Sequence, residues 1–299
     1  MPDTIPGTIS IIITTYNGEK YIRETIASVQ RQTFKGWELI IVDDGSTDHT
    51  IDIIRSNTDN RIKLICAGRV RRNGQLKNRA IRYSSGEYIA FIDHDDLWAP
   101  LKLQRQIEAL QADDNAAFCL CNGYNFKTVD QPIGFFFKQT NGIKRGDTFL
   151  SFFNGELSAF TQTLLVRKSC VVNNNWFEEA SLSSDPEFVL NLAGQYHGVI
   201  LFEPMVFHRK HEQGFSVSNW IQFHEQGLQL IKKYVRDKRL PKRLGREILF
   251  RSNIDFGEKY LAQCRRRKAI AQFAQAWINK PFSWVPPRKM LKALIRAAG

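Results

Sequence analysis

Along the first hundred residues, short continuous apolar runs alternate with segments whose apolar residues recur every three or four positions. Ile9–Thr14 (ISIIIT) is apolar and β-branched almost throughout, the pattern of a strand buried on both faces. It stops at Thr15-Tyr16-Asn17-Gly18, and Tyr21, Ile22, Ile26 and Val29 follow at helical spacing. Trp37–Val42 (WELIIV) predicts a second strand, ended abruptly by Asp43-Asp44-Gly45-Ser46-Thr47-Asp48. Thr47 or Asp48 is placed to cap a helix through Ile51 and Ile54. Arg61–Cys66 predicts a third strand, Asn78–Tyr83 a helix, and Glu87–Ile92 (EYIAFI) a fourth strand ending at Asp93-His94-Asp95-Asp96. After Pro100, Leu103, Ile107 and Leu110 mark an amphipathic helix.

Strand, helix, strand, helix predicts a mostly parallel sheet with right-handed crossovers. Ligands of such sheets bind beyond the carboxyl ends of the strands. Three of those ends carry TTYN, DDGSTD and DHDD. Paired carboxylates at two of the three point to a metal ion or to sugar hydroxyls. From about residue 115 the pattern is less regular. It holds an aromatic stretch (Phe135–Phe137, Phe149, Phe152, Phe153), a strand at Thr163–Arg167, a loop at Asn173–Asn175 and a helix from Phe188 to Ala193. A strand at Val199–Phe207 then leads into a polar loop, His208–Ser218, and beyond Asn219 the chain reads as helical, basic and aromatic.

Composition narrows the class. With 299 residues, 43% of them apolar and 24% charged, the chain has material for a sizeable core and is no disordered or disulfide-rich scaffold. No apolar run approaches the roughly 18 residues needed to span a bilayer, and no basic-then-apolar leader opens the sequence. Five scattered cysteines without a CxxC pair fit a reducing, cytoplasmic compartment. The net charge of +12 is unevenly divided. Residues 1–230 hold 23 Lys+Arg against 26 Asp+Glu, whereas residues 231–299 hold 19 against 4. A slightly acidic body with a basic appendage is not the layout of a nucleic-acid binder, and no nucleic-acid motif accompanies the charge. The appendage has two readings: solvated faces of packed helices, or a surface drawn to anionic membrane headgroups at the inner face.

Residues 9–50 and the segment GEYIAFIDHDDLWAPLKLQRQ (residues 86–106) together resemble the nucleotide-sugar-binding half of family 2 glycosyltransferases. The likeness continues more weakly through TQTLLVRKS, WFEEA and SSDPEFVLNL to HRKHEQGFSVS, fading after about residue 220. It implies a GT-A (Rossmann-like) α/β fold with a C-terminal helical extension. The expected organisation is residues 1–110 for the donor, 111–225 for the acceptor, and 226–299 as basic helices. The implied activity is a metal-dependent, inverting transfer from a UDP-linked or other nucleotide sugar to a glycan or lipid-linked glycan in polysaccharide biosynthesis. The alternative is a non-catalytic sugar-nucleotide-binding or scaffold protein of the same fold. No GxGxxG follows the first strand, which argues against a dinucleotide enzyme.

The resemblance assigns roles residue by residue. Asp95 is the expected ligand of Mn2+ or Mg2+, Asp93 faces the ribose or the metal, and Asp96 braces the loop or meets the donor sugar. A hard divalent cation on one or two carboxylates suits a diphosphate leaving group. Asp44, with Asp43, sits where the nucleobase is expected, or serves a capping turn. Thr14, Tyr16 and Asn17 are placed to contact base and ribose, and Arg71 to meet the diphosphate or to stay in solvent. Asp185 is the expected base, with Glu187 as runner-up. It matches the aspartate of the family's Glu-Asp motif, but Ser184 stands where Glu is usual and Pro186 follows. His211 is a third metal ligand, a phosphate contact or a solvated loop residue, with His208, Arg209 and Lys210 as alternatives in the same loop. His94 is expected to face outward, and Trp176 or the Phe152–Phe153 pair to stack on acceptor sugars or to be core.

Overall fold

In the computed structural model, residues 4–127, 131–172, 176–181, 183–211 and 219–295 are described. The expected triplet Asn173–Asn175 and the part of the polar loop beyond His211 lie outside them. The chain forms two compact units, Met1–Ser218 and Asn219–Gly299. The first unit is built in chain order from β1 (Ile5–Thr15), α1 (Ile22–Gln30), β2 (Trp37–Asp43), α2 (Thr50–Arg55), β3 (Ile62–Cys66), α3 (Asn73–Tyr83), β4 (Gly86–Phe91), the short β5 (Leu97–Trp98) and α4 (Lys102–Gln111). It continues with β6 (Ala116–Phe126), β7 (Pro132–Phe135), β8 (Ile143–Gly146), β9 (Leu164–Arg167), α5 (Lys168–Val172), α6 (Ser184–Ala193) and β10 (His197–Arg209).

All these strands share one sheet in the order β3-β2-β1-β4-β9-β6-β10-β5, with β7 on β6 and β8 on β10. The first four strands are parallel, as the alternating pattern predicts. β9 then enters antiparallel between β4 and β6, and β6 pairs parallel with β10. The sheet is therefore continuous across residue 110. Ile9–Ile13 of β1 and all of β2 are buried because helices cover both faces, which is why these stretches do not alternate.

The longest element missed by sequence reading is β6. Its apolar half, Ala116–Cys121, gives way to the polar Asn122-Gly123-Tyr124-Asn125, which hides the strand's second half. That half survives because β7 and β10 supply its ladder partners, and because Asn122 Oδ1 accepts the Gly123 and Phe137 amides.

At the opposite edge from the strand C-termini, Glu38 ties four strands' ends together. Its carboxylate accepts from Ser10 Oγ at 2.6 Å, the Ser85 amide at 2.6 Å and Lys63 Nζ at 2.7 Å. Burial raises its pKa, but these donors outweigh it and bring the carboxyl down to about 2.

The second unit consists of α7 (Trp220–Arg236), α8 (Lys242–Ala262), α9 (Arg266–Asn279) and α10 (Val285–Ile295). Tyr260, Ala269 and Phe273 form its small core, with Trp220, Ile221, Ile254, Leu261 and Met290 packed around them. Among the described residues, no helix is long and apolar enough to cross a membrane.

Candidate active site

Two acidic turns and one helix start meet at the carboxyl ends of the parallel strands. The β2–α2 loop is built around Asp43 and Asp44. Asp43 is 1% exposed, and its carboxylate accepts from the Gly45 and Ser46 amides and from Ser46 Oγ. Gly45 has φ +74°, a left-handed conformation, and a Cβ there would sit 3.0 Å from the Arg69 amide. Asp48, not Thr47, accepts the Thr50 amide at the start of α2. Asn17 joins this loop to the end of β1: its amide donates to Ser46 Oγ, and its side chain accepts the Thr47 amide.

Asp44 reaches the other way, to the β3–α3 loop. It accepts from the Val70 and Arg71 amides and pairs with the Arg69 guanidinium. That guanidinium lies 3.5 Å from the centre of the Tyr16 ring. Asp44 is thus engaged by the β3–α3 loop, and Arg69 is a site residue that sequence reasoning passed over for Arg71. Arg71 contributes its backbone amide, in a left-handed conformation with φ +62°. Thr14 Oγ1 donates to Asn73 Oδ1 at 2.6 Å, tying β1 to the start of α3. A cavity of about 410 Å3 opens beside this point, lined by residues 70–73 and 179–181.

The DHDD turn after β4 holds the second group of acids. Thr25 Oγ1, on α1, lies 2.9 Å from both the His94 and Asp96 carbonyl oxygens and fixes the turn. His94 does not swing outward as expected. Its ring packs over Gly18, where a Cβ would come within 2.7 Å of it. Asp96 is wholly buried and accepts from His208 Nδ1 at 3.0 Å and the Arg209 amide at 2.9 Å. These contacts fit the first of its two expected roles, the brace. They also explain why β10 runs through His208 and Arg209, which the sequence reads as loop.

Asp95 Oδ2 is 2.8 Å from His211 Nε2. Burial opposes ionisation of Asp95, yet His94, the His211 hydrogen bond and His208 together hold its carboxyl below the ordinary range. Asp93 behaves oppositely. Burial, reinforced by the charges of Asp96, Asp185 and Asp95, pushes it up to about 7 against the pull of Lys77. His208 is raised overall: burial lowers it, but Asp96 more than compensates. His211 stacks near Tyr21, with ring centres 5.2 Å apart, and Arg209 pairs with Glu24 of α1 at 2.6 Å.

Asp185 is the second residue of α6. Its Oδ2 accepts from Lys77 Nζ at 2.6 Å and Thr161 Oγ1 at 3.1 Å, while Oδ1 is buried with no hydrogen-bond partner among the described residues. Lys77, on α3, is 2% exposed, and its charge bears on Asp93 as well as on Asp185. No sequence signal marks Lys77 out, because a lysine on an amphipathic helix reads as a solvated face. Trp176 is met by the Arg82 guanidinium at 5.4 Å from its ring centre, and Phe153 packs on Phe149.

Among the described residues, no three His, Cys, Asp or Glu side chains converge as a set of metal ligands. The donor chemistry still suits a hard divalent ion. Asp93 and Asp95 offer carboxylate oxygens in a cluster of acids whose mutual repulsion only a cation or a proton relieves, and phosphate oxygens and water complete such shells.

An open, largely parallel α/β sheet with acids gathered at its C-terminal edge is the class of fold whose ligands bind beyond the carboxyl ends of the strands. The profile of glycosyl transferase family 2 matches residues 10–165. The chain belongs to that family. It is 39% identical over 114 residues to the UDP-Glc:alpha-D-GlcNAc-diphosphoundecaprenol beta-1,3-glucosyltransferase WfgD of Escherichia coli, covering 38% of this chain and 45% of WfgD. It is 36% identical over 124 residues to the putative teichuronic acid biosynthesis glycosyltransferase TuaG of Bacillus subtilis, covering 41% and 48%. The chain thus matches about half of the length of these relatives. S. aureus TarS 1-349 in complex with UDP-GlcNAc superposes with a TM-score of 0.69 at 20% identity, covering 91% of this chain and 81% of that one. The mannosyltransferase PcManGT from Pyrobaculum calidifontis, in complex with GDP-Man and Mn2+, gives 0.58 at 18% identity, covering 100% and 83%. These two likenesses bear out the GT-A fold.

Proposed function

We propose that this protein transfers a sugar, with inversion, from a UDP-linked donor to a hydroxyl of a lipid-linked glycan. The observation that carries the reading is the arrangement of Asp185 near the DHDD turn, with Oδ2 held by Lys77 and Thr161 and Oδ1 unpartnered among the described residues. A carboxylate anchored through one oxygen presents the other as a base. In the proposed reaction Asp185 Oδ1 takes the proton of the acceptor hydroxyl while that oxygen attacks the anomeric carbon. The new glycosidic bond forms as the bond to the diphosphate breaks, and nucleoside diphosphate leaves with the electron pair.

Arg69 stacked on Tyr16, and Asn73 beside Thr14, line the end of β1 where the nucleoside is proposed to lie. Asp93 and Asp95 would hold Mn2+ or Mg2+, which when bound neutralises charge on the leaving diphosphate. His211 positions Asp95 by its hydrogen bond. The acceptor lies at the inner face of a membrane, and the basic residues 231–299 are the part of the chain drawn to it. UDP-Glc and a diphosphoundecaprenol acceptor in the name of WfgD, and UDP-GlcNAc bound to TarS, support the donor and acceptor classes.

The test is transfer of labelled sugar from UDP-GlcNAc and UDP-Glc, with Mn2+ or chelator, to a polyprenyl-diphosphate-linked sugar. Turnover that the chelator abolishes supports the reading. Tight donor binding without transfer or donor hydrolysis, under every metal, would instead make the chain a sugar-nucleotide-binding scaffold.

A further inference from the structure

Where α9 passes into α10, the chain leaves large apolar side chains in water. Phe282 is 97% exposed, Trp284 77% and Ile278 70%, with Trp277 and Val285 partly exposed beside them. Single exposed apolar residues are ordinary, but five within nine positions form a patch that calls for a partner. The segment is shaped, too. Trp277 Nε1 donates to the Pro281 carbonyl at 2.6 Å, folding the connection back against the end of α9. The unit's own core does not claim these side chains, because Tyr260, Ala269 and Phe273 are already covered by Leu261, Met290 and their neighbours.

Charge identifies the occupant. Glu258 is the last acidic residue of the sequence, and residues 259–299 carry ten Lys+Arg and no Asp or Glu. Lys280, Arg288 and Lys289 flank the patch directly. Lys280 and Lys289 also pair with Glu247 and Glu258, but both are partly exposed pairs that water and salt weaken. A second copy of this chain would bring two such cationic stretches face to face. An anionic bilayer offers the complement of both features, negative headgroups for the cations and an acyl boundary for the rings. Trp and Phe are among the side chains that interfacial helices bury at that depth.

We infer that residues 277–285 form a membrane-insertion point, with Ile278, Phe282 and Trp284 entering the acyl boundary of an anionic phospholipid surface. The inference deepens the membrane reading under Proposed function and rests on it, turning a generally basic segment into a defined point of contact.

The experiment is co-sedimentation of the full chain with vesicles of mixed phosphatidylglycerol and phosphatidylcholine, and of phosphatidylcholine alone. The expected result is binding to the anionic vesicles only, weakened by salt. The double variant Phe282→Ser/Trp284→Ser loses about tenfold or more in affinity, while Trp284→Phe retains it. Both positions face water, so unchanged thermal midpoints and unchanged transfer to a water-soluble acceptor accompany that loss. Anionic binding equal in wild type and double variant would overturn the insertion point but leave electrostatic attraction standing. No wild-type binding overturns both. A wild-type dimer that the double variant dissolves overturns the insertion point in favour of self-association.

Discussion

Lys77 Nζ lies 2.6 Å from Asp185 Oδ2, joining α3 to α6 across 108 positions of sequence. The lysine is buried and the aspartate is about a quarter exposed on its side chain. A buried lysine beside a carboxylate neutralises it and fixes its direction. Because Thr161 Oγ1 donates to the same oxygen, the pair and the hydroxyl together define which oxygen is left for chemistry.

Asp185→Asn keeps the shape of the side chain and removes its ability to accept a proton. Transfer is expected to fall about a hundred- to ten-thousand-fold in kcat, with donor affinity little changed. Steady-state kinetics with calorimetric donor titration reads both. Unchanged turnover would remove Asp185 from the role of base.

Lys77→Met leaves Asp185 without its charged partner. Breaking such a pair is expected to lower stability by about 3 kcal/mol and to reduce kcat more than it raises the donor KM. Lys77→Arg recovers part of the rate, since it restores charge but not shape. Equal losses for both variants in KM alone would place Lys77 on the donor and not on Asp185.

Burial and the neighbouring acids push the Asp93 carboxyl up to about 7, so a cation bound there as proposed would displace a proton below that pH. Mn2+ affinity is therefore expected to drop by roughly tenfold per pH unit as pH falls below 7, and to level off above it. The sign for stability is the reverse of an ordinary paired carboxylate. A folded pKa above the unfolded value of 3.8 means the metal-free protein loses stability as pH rises from 4 toward 7. Melting curves with and without Mn2+ across that range check both statements, and the metal should stabilise most at the high end.

Glu38 gives the opposite signature. Its carboxyl is lowered from 4.5 to about 2, so its stabilisation is fully present above about 4.5 and lost as pH falls toward 2. Glu38→Gln is expected to lower stability by about 2–3 kcal/mol at neutral pH and to flatten the acid limb of the unfolding profile. Denaturant unfolding at pH 7 and pH 3 separates the two effects, and activity should survive at temperatures where the variant is folded.

The sequence by itself determined the strand-and-helix alternation to residue 111 and the acids that end its strands. Both follow from local rules: a strand buried on two faces must be continuously apolar, and a strand end must turn. Asp43, Asp44, Asp93, Asp95 and Asp96 were legible because they stand beside such runs. Their partners were not. Arg69 on Tyr16, His208 on Asp96, His211 on Asp95 and Lys77 on Asp185 are each contacts between residues distant in sequence, and only the folded sheet brings them together. The same holds for β9, whose antiparallel place between β4 and β6 is set by which ladder edges were open. Tertiary structure likewise brought His208 and the Arg209 amide onto Asp96. A carboxylate's role depends on which donors reach it, and no local pattern records that.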